Sequence, residues 1–217
     1  MARGDLARRA RRASPAAGAS GRARVRYGRR SRPGDARCGV RRDRGRSGGA
    51  RGREYRRVEF ERLDEPPGTL SAVVASTSLH HVADPVQVLD GIAGLLAPGG
   101  RVVVLEWDWE AFDEPTAEWC FERLRAGEDG WLHRHRNGWA ASGGPWSAYL
   151  RGWADEHGIH GAALLLGLLG ERFRLERPAY GPYLFADLAG TTEADEQAAI
   201  DAGEIRATRV QAVGRRP

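Results

Sequence analysis

The chain has 217 residues, enough for one ordinary domain with a true core. Its formal charge of +5 sums two opposed parts: residues 1–57 carry 20 arginines against four acids (Asp5, Asp35, Asp43, Glu54), residues 58–217 carry 14 against 25 acids, and there is no lysine. Cys38 and Cys120 make neither a disulfide framework nor a zinc pattern, no apolar run reaches the roughly 20 residues of a membrane span, and the N-terminus has no apolar signal core, so a cytoplasmic setting is expected.

Residues 1–53 hold few apolar side chains larger than alanine (Leu6, Val25, Tyr27 and Val40 are nearly all of them). Such a stretch buries too little surface to offset its ordering entropy, so a disordered arginine-rich segment is expected, with at most a short strand at "ARVRYG". A domain over 54–217 follows. "YRRVEF" reads as a strand, "LDEPPGT" as a turn and "LSAVVAST" as a buried parallel strand. "ADPVQVLDGIAGLLAPGG" reads as a helix with Asp84 as N-cap and Pro85 in its first turn. Val86, Leu89, Ile92, Ala93 and Leu96 would form its apolar face, and Pro98-Gly99-Gly100 would stop it. "RVVVLEW" is then a second buried strand, and strand–helix–strand with short joints is a right-handed crossover in a parallel sheet.

Downstream, "DEPTAEWCFERLRAG" is a helix capped by Asp113. "GPWSAYLRGWADEHG" is a helix from Pro145 to Gly158, and "HGAALLLGLLGE" is a third. "RFRLERPAY" reads as a strand. "TTEADEQAAIDAGE" is a helix with Thr192 and Asp195 in capping-box spacing, and "IRATRVQAVG" alternates as a strand should.

Chemistry-bearing residues collect where the two buried strands end. His80 and His81 follow the first and suit general-base work, since imidazole titrates near neutrality. Glu106 and Asp108 lie at the end of the second and could take a proton or bind a polar group, or merely cap the following loop. Trp107 and Trp109 flank them as candidate substrate-binding indoles. Trp131, Trp139, Trp146 and Trp153 read chiefly as packing. His133, His135, His157 and His160 show no metal-ligand spacing and are expected in loops. The arginine-rich segment has the charge to bind phosphates but almost no aromatic residues for base stacking, so nucleic acid is not the expected partner.

"LSAVVASTSLHHVADPVQVLDGIAGLLAPGGRVVVLEW" resembles the second half of a class I S-adenosylmethionine-dependent methyltransferase of the small-molecule "type 11" kind. The resemblance lies in Leu-His-His-Val after one strand and in the Leu-x-Pro-Gly-Gly turn into an apolar strand ending in Glu. It covers residues 56–107 well and the rest more loosely. It implies an α/β fold: a Rossmann-like sheet with helices on both faces, here incomplete in its N-terminal half. It further implies S-adenosyl-L-methionine as cofactor, a small-molecule methyl acceptor and no membrane. Ligands of such sheets lie outside the carboxyl ends of the strands. On that basis Ala75, Ser76 and Thr77, with Asp64 matched to the acid that bonds the adenine amine, are expected at the cofactor. His80, His81 and Glu106 are expected at the chemistry, and Trp107 and Trp109 at the acceptor.

The sequence departs from this family in three places. No apolar strand leads into an Asp/Glu-x-Gly-x-Gly-x-Gly turn before residue 56. The acid that would hold the ribose is not identifiable, and Ser71 stands where an aspartate is usual. A wrong reading frame or start upstream of codon 54 would produce such a change in pattern. Lacking the central strand, the sheet would expose an unpaired edge. A non-catalytic protein with a nucleic-acid-binding basic tail is the alternative, and an NAD-dependent Rossmann enzyme is disfavoured by the missing glycine fingerprint.

Overall fold

In the computed structural model, the residues described are 65–217 together with the backbone of three earlier strands, β1 (Ala23–Arg26), β2 (Cys38–Arg44) and β3 (Gly52–Val58). These three pair antiparallel in the order β1-β2-β3. Asp64 lies outside the described residues.

The main sheet is built on β4 (Leu70–Ser76) and β5 (Leu96–Trp107), which run parallel with Val73 facing Val102 and Ala75 facing Val104. The crossover between them is α1 (Pro85–Leu95), where the Asp84 side chain accepts the Gln87 backbone N–H at 2.9 Å. On the other side of β5 lies β8 (Arg209–Arg215), antiparallel to it. Two short strands, β6 (Arg174–Leu175) and β7 (Ala179–Gly181), pair with the far edge of β8. Val73, Ala75, Val102, Val104 and Ala212 pack on one face of the sheet with Val88, Leu89 and Ile92 of α1 and Leu165 and Leu169 of α5 (Ala162–Arg172). Their neighbours Val74, Val103 and Leu105 are half-buried.

Three expectations need adjusting. The face of α1 is Pro85, Val88, Leu89, Ile92 and Leu95, with Val86 left 42% exposed. The helix stops at Leu95 because Leu96 is already extended and belongs to β5, and Gly99 (φ +71°) turns the chain within that strand instead of capping the helix. "RFRLERPAY" is two strands, with Pro178, which has no N–H for a ladder, between them.

A second, aromatic core covers the far end of β5. It is assembled by α2 (Glu114–Phe121), α3 (Trp131–Ser142) and α4 (Trp146–His157) with the 183–188 turn, which α6 (Glu193–Asp201) supports. His133 and His135, expected in loops, lie on the α3 helix. Its buried face is Leu132, His133 and His135, so two imidazoles stand where an apolar pattern would put Leu or Ile. They are tolerated because both are bonded. His133 Nδ1 accepts the Gly130 N–H at 3.3 Å and its Nε2 donates to the Arg125 carbonyl at 2.9 Å, while His135 Nδ1 pairs with the Tyr149 hydroxyl at 3.2 Å. Three tryptophans are packing residues with satisfied N–H groups: Trp131 donates to Asp187, Trp139 to the Gly144 carbonyl and Trp146 to the Phe112 carbonyl.

Candidate functional site

Parallel β4 and β5 end side by side, so their carboxyl ends bring residues 76–82 and 106–110 together. The first of these segments is strained. Thr77 has φ +52°, a conformation that β-branched residues rarely adopt, and its N–H is held by the Leu105 carbonyl at 2.7 Å. Strain of this kind concentrates at functional sites. Ser76 Oγ and Thr77 Oγ1 lie 3.4 Å apart, both residues half-buried at the sheet edge. Ala75 precedes them in β4. It is 2% exposed and belongs to the core, because alternation along β4 points it under the crossover helix.

Glu106 is 1% exposed and organises the segment beside it. One carboxylate oxygen accepts the backbone N–H groups of Ser78 and Leu79, both at 2.8 Å. The other pairs with Nδ1 of His80. A carboxylate only accepts, so Nδ1 carries the hydrogen and donates it, which leaves Nε2 of a neutral ring as an acceptor. Among the described residues, Nε2 has no hydrogen-bond partner. Glu106 is therefore committed to three donors, the backbone N–H groups of Ser78 and Leu79 and the His80 ring.

The His81 ring lies tilted against that of His80 with centroids 4.0 Å apart, and unlike His80 the residue is largely exposed. Partial desolvation of the ring, then repulsion from the charge that His80 and His157 carry whenever they are protonated, holds its pKa down to about 4. Burial raises the Asp108 carboxyl above the usual range, Glu110 adds to this, and backbone N–H bonds from Glu110 and Ala111 oppose it. Trp107 is 4% exposed and stands between the site and the aromatic core, its ring centroid 6.4 Å from that of His80 and 5.2 Å from that of Trp131. The buried Nε1 atoms of Trp107 and Trp109 and Oδ1 of Asp108 have no hydrogen-bond partner among the described residues. Unpaired buried groups are uncommon, and three of them fall in succession at the end of β5.

The remaining histidines divide. His135 lies in the aromatic core at 4.5 Å from Trp153, and burial, then Arg134 and His157, hold its pKa down to about 4. His157 closes α4 and stacks on Trp153 at 4.8 Å. His160, which the sequence left in a loop, does sit in the α4–α5 joint, but it bonds the 80–82 segment, and nothing in its sequence surroundings signals that contact. Among the described residues no group of His, Cys, Asp and Glu could hold a metal ion, and no helix is long and apolar enough to cross a membrane. Cys120 is buried, which pushes its thiol up and leaves it unreactive.

A family described as "Methyltransferase domain" matches residues 11–142, more than half of the chain and including much of the arginine-rich segment. No curated protein matches. Among solved structures, the chain is similar to an S-adenosylmethionine dependent methyltransferase from Mesorhizobium loti (19% identity, 74% of this chain and 68% of that one, TM-score 0.41). It is also similar to the N-methyltransferase NodS from Bradyrhizobium japonicum (15% identity, 74% and 52%, TM-score 0.37). A third is geranyl diphosphate C-methyltransferase from Streptomyces coelicolor (14% identity, 75% and 52%, TM-score 0.40). The chain thus spans only about half the length of the last two. Because the family match covers more than half of the chain, the chain belongs to the methyltransferase-domain family.

Proposed function

We propose that this protein transfers a methyl group from S-adenosyl-L-methionine to a small-molecule acceptor, with His80 as general base and Glu106 as the group that orients it. The observation that carries the reading is the buried Glu106 carboxylate bonded to Nδ1 of His80, which fixes the tautomer with Nε2 as proton acceptor at the strand ends. The cofactor fits the edge in its neutral polar contacts: the Ser76 and Thr77 hydroxyls stand half-buried there, on a turn raised by the positive φ of Thr77. Ser76 and Thr77 would hold it, with Asp64 assigned by resemblance. When bound, it supplies an electrophilic methyl carbon on a sulfonium.

The chain's own residues then have three tasks. His80 Nε2 takes the acceptor's proton as its heteroatom attacks. Glu106 stabilises the imidazolium so formed while staying ionised itself. Trp107 and Trp109 form a wall against which the acceptor is aligned, and their unpaired indole N–H groups suit an acceptor bearing an oxygen. The missing Gly-x-Gly-x-Gly turn points to weak cofactor binding.

The test is a calorimetric titration of the monodisperse full-length protein with S-adenosylhomocysteine, followed by transfer of a labelled methyl group to a panel of phenols, alcohols and amines. Saturable one-to-one binding and labelled product are expected. A folded protein that takes up no S-adenosylhomocysteine overturns the reading.

A further inference from the structure

Two hydrogen bonds tie the α4–α5 joint to the segment that carries His80. The backbone N–H of His160 donates to the His80 carbonyl at 3.0 Å. The His160 side chain bonds the Val82 carbonyl at 2.8 Å. A carbonyl only accepts, so Nε2 of His160 bears the hydrogen. Both bonds are made across about 80 positions of sequence, and they grip the chain on either side of His81. From its other side the same segment is held by Glu106, through Ser78, Leu79 and the His80 ring. The next residue of the joint, Gly161, lies against the Glu110 carboxylate just beyond β5. The joint therefore touches both strand ends.

We infer that His160 is a positioning residue for His80: it clamps the 80–82 backbone so that the imidazole stays seated on Glu106 with Nε2 free. This rests on the reading of His80 as the base. The physical case is one of degrees of freedom. The 78–82 segment is a single short turn, Leu79–His81, whose first half is fixed by Glu106. Without a grip on its second half, rotation about the His80 backbone would trade the Nδ1 bond for the other tautomer or for water. A side chain held within a few tenths of an ångström requires support behind it.

The experiment follows the imidazole nitrogens of the full-length chain by long-range proton–nitrogen NMR, which needs no acceptor. In the unsubstituted protein, His80 is expected in one tautomer, with hydrogen on Nδ1. His160→Ala is expected to lose that single tautomer and show exchange between two. His160→Gln, whose amide can donate to the Val82 carbonyl, is expected to restore it. If His160→Ala does not fold, His160→Glu replaces it, since a carboxylate of the same length as Gln cannot donate. An unchanged His80 pattern in folded His160→Ala or His160→Glu overturns the inference. A His80 carrying its hydrogen on Nε2 in the unsubstituted protein overturns instead the base reading on which the inference rests, so the two failures are distinct.

Discussion

Glu196 receives the backbone N–H of Leu184 on both of its carboxylate oxygens, at 3.2 Å and 2.9 Å. The same two oxygens take the N–H groups of Tyr183 at 2.8 Å and Phe185 at 2.6 Å, and the side chain is fully buried. One acid thus satisfies a whole turn that would otherwise carry unpaired donors into the aromatic core. Glu196→Gln is expected to cost about 3 kcal/mol or more, because hydrogen bonds to a charged partner contribute about 1.5–3 kcal/mol each and the amide turns a donor toward a donor. Urea unfolding monitored by tryptophan fluorescence measures this; a loss below about 1 kcal/mol would show that the turn holds itself.

Glu106→Gln tests the base. The amide oxygen still accepts from Ser78 and Leu79, but the amide nitrogen now faces His80 Nδ1 as a donor. The imidazole must then carry its hydrogen on Nε2 and can no longer act as a base. Methyl transfer is expected to fall by about 10²–10⁴-fold, the usual worth of general-base catalysis. S-adenosylhomocysteine affinity should stay within a factor of about two, since the amide oxygen keeps the Ser78 and Leu79 bonds that hold the turn after Thr77. Initial rates beside calorimetry check both halves.

Acid should destabilise the protein through His135. Its folded pKa, near 4, lies below the unfolded value of 6.5. Between those values the unfolded chain binds a proton that the folded one refuses, so stability rises with pH across that window and is lost as pH falls from about 6.5 to 4. His135 is 4% exposed, so the slope sums to about 3 kcal/mol at most. His81 adds in the same direction but less, because water screens its exposed ring. His135→Phe should flatten the acid limb of Tm against pH; an unchanged limb would remove His135 as its source.

Gly214 is a packing requirement of β8. A Cβ there would fall 2.8 Å from Cβ of Phe173 and 3.0 Å from Cγ1 of Val102. Neither atom is the free end of a flexible side chain. Gly214→Ala is expected to cost about 1–3 kcal/mol by overpacking, read as a shift in the denaturation midpoint. A neutral result would mean that β6 and α5 yield without penalty.

The parts of the sheet that could be read from sequence are those whose signals are local. Asp84 and Pro85 announce α1, Thr192 and Asp195 announce α6, and β4 and β5 are short apolar runs. The α3 helix escaped because its buried face is spelled Leu132, His133, His135, and hydropathy counts both imidazoles as surface. Its midpoint, Gly138, reads as a breaker, yet any side chain there would meet the Tyr149 ring of α4. Within the site, His80 and Glu106 were each visible as candidates, but their pairing was not. It depends on the parallel register of two strands, which no local pattern encodes. His160 was invisible for the same reason.

The antiparallel seating of β8 against β5 also sets an order of assembly. The unit β4–α1–β5 closes over fewer than forty residues, so its contacts can form early and fast. The other flank of β5 must wait: Arg216, 120 positions after Leu96, bonds the Leu96 carbonyl, and the whole aromatic core lies in between. During synthesis on a ribosome, β5 therefore stands with an open apolar edge until about a hundred further residues have emerged. Lower temperature lengthens that exposure while weakening apolar association, so an edge open to wrong pairing and a weaker drive toward it change together on cooling.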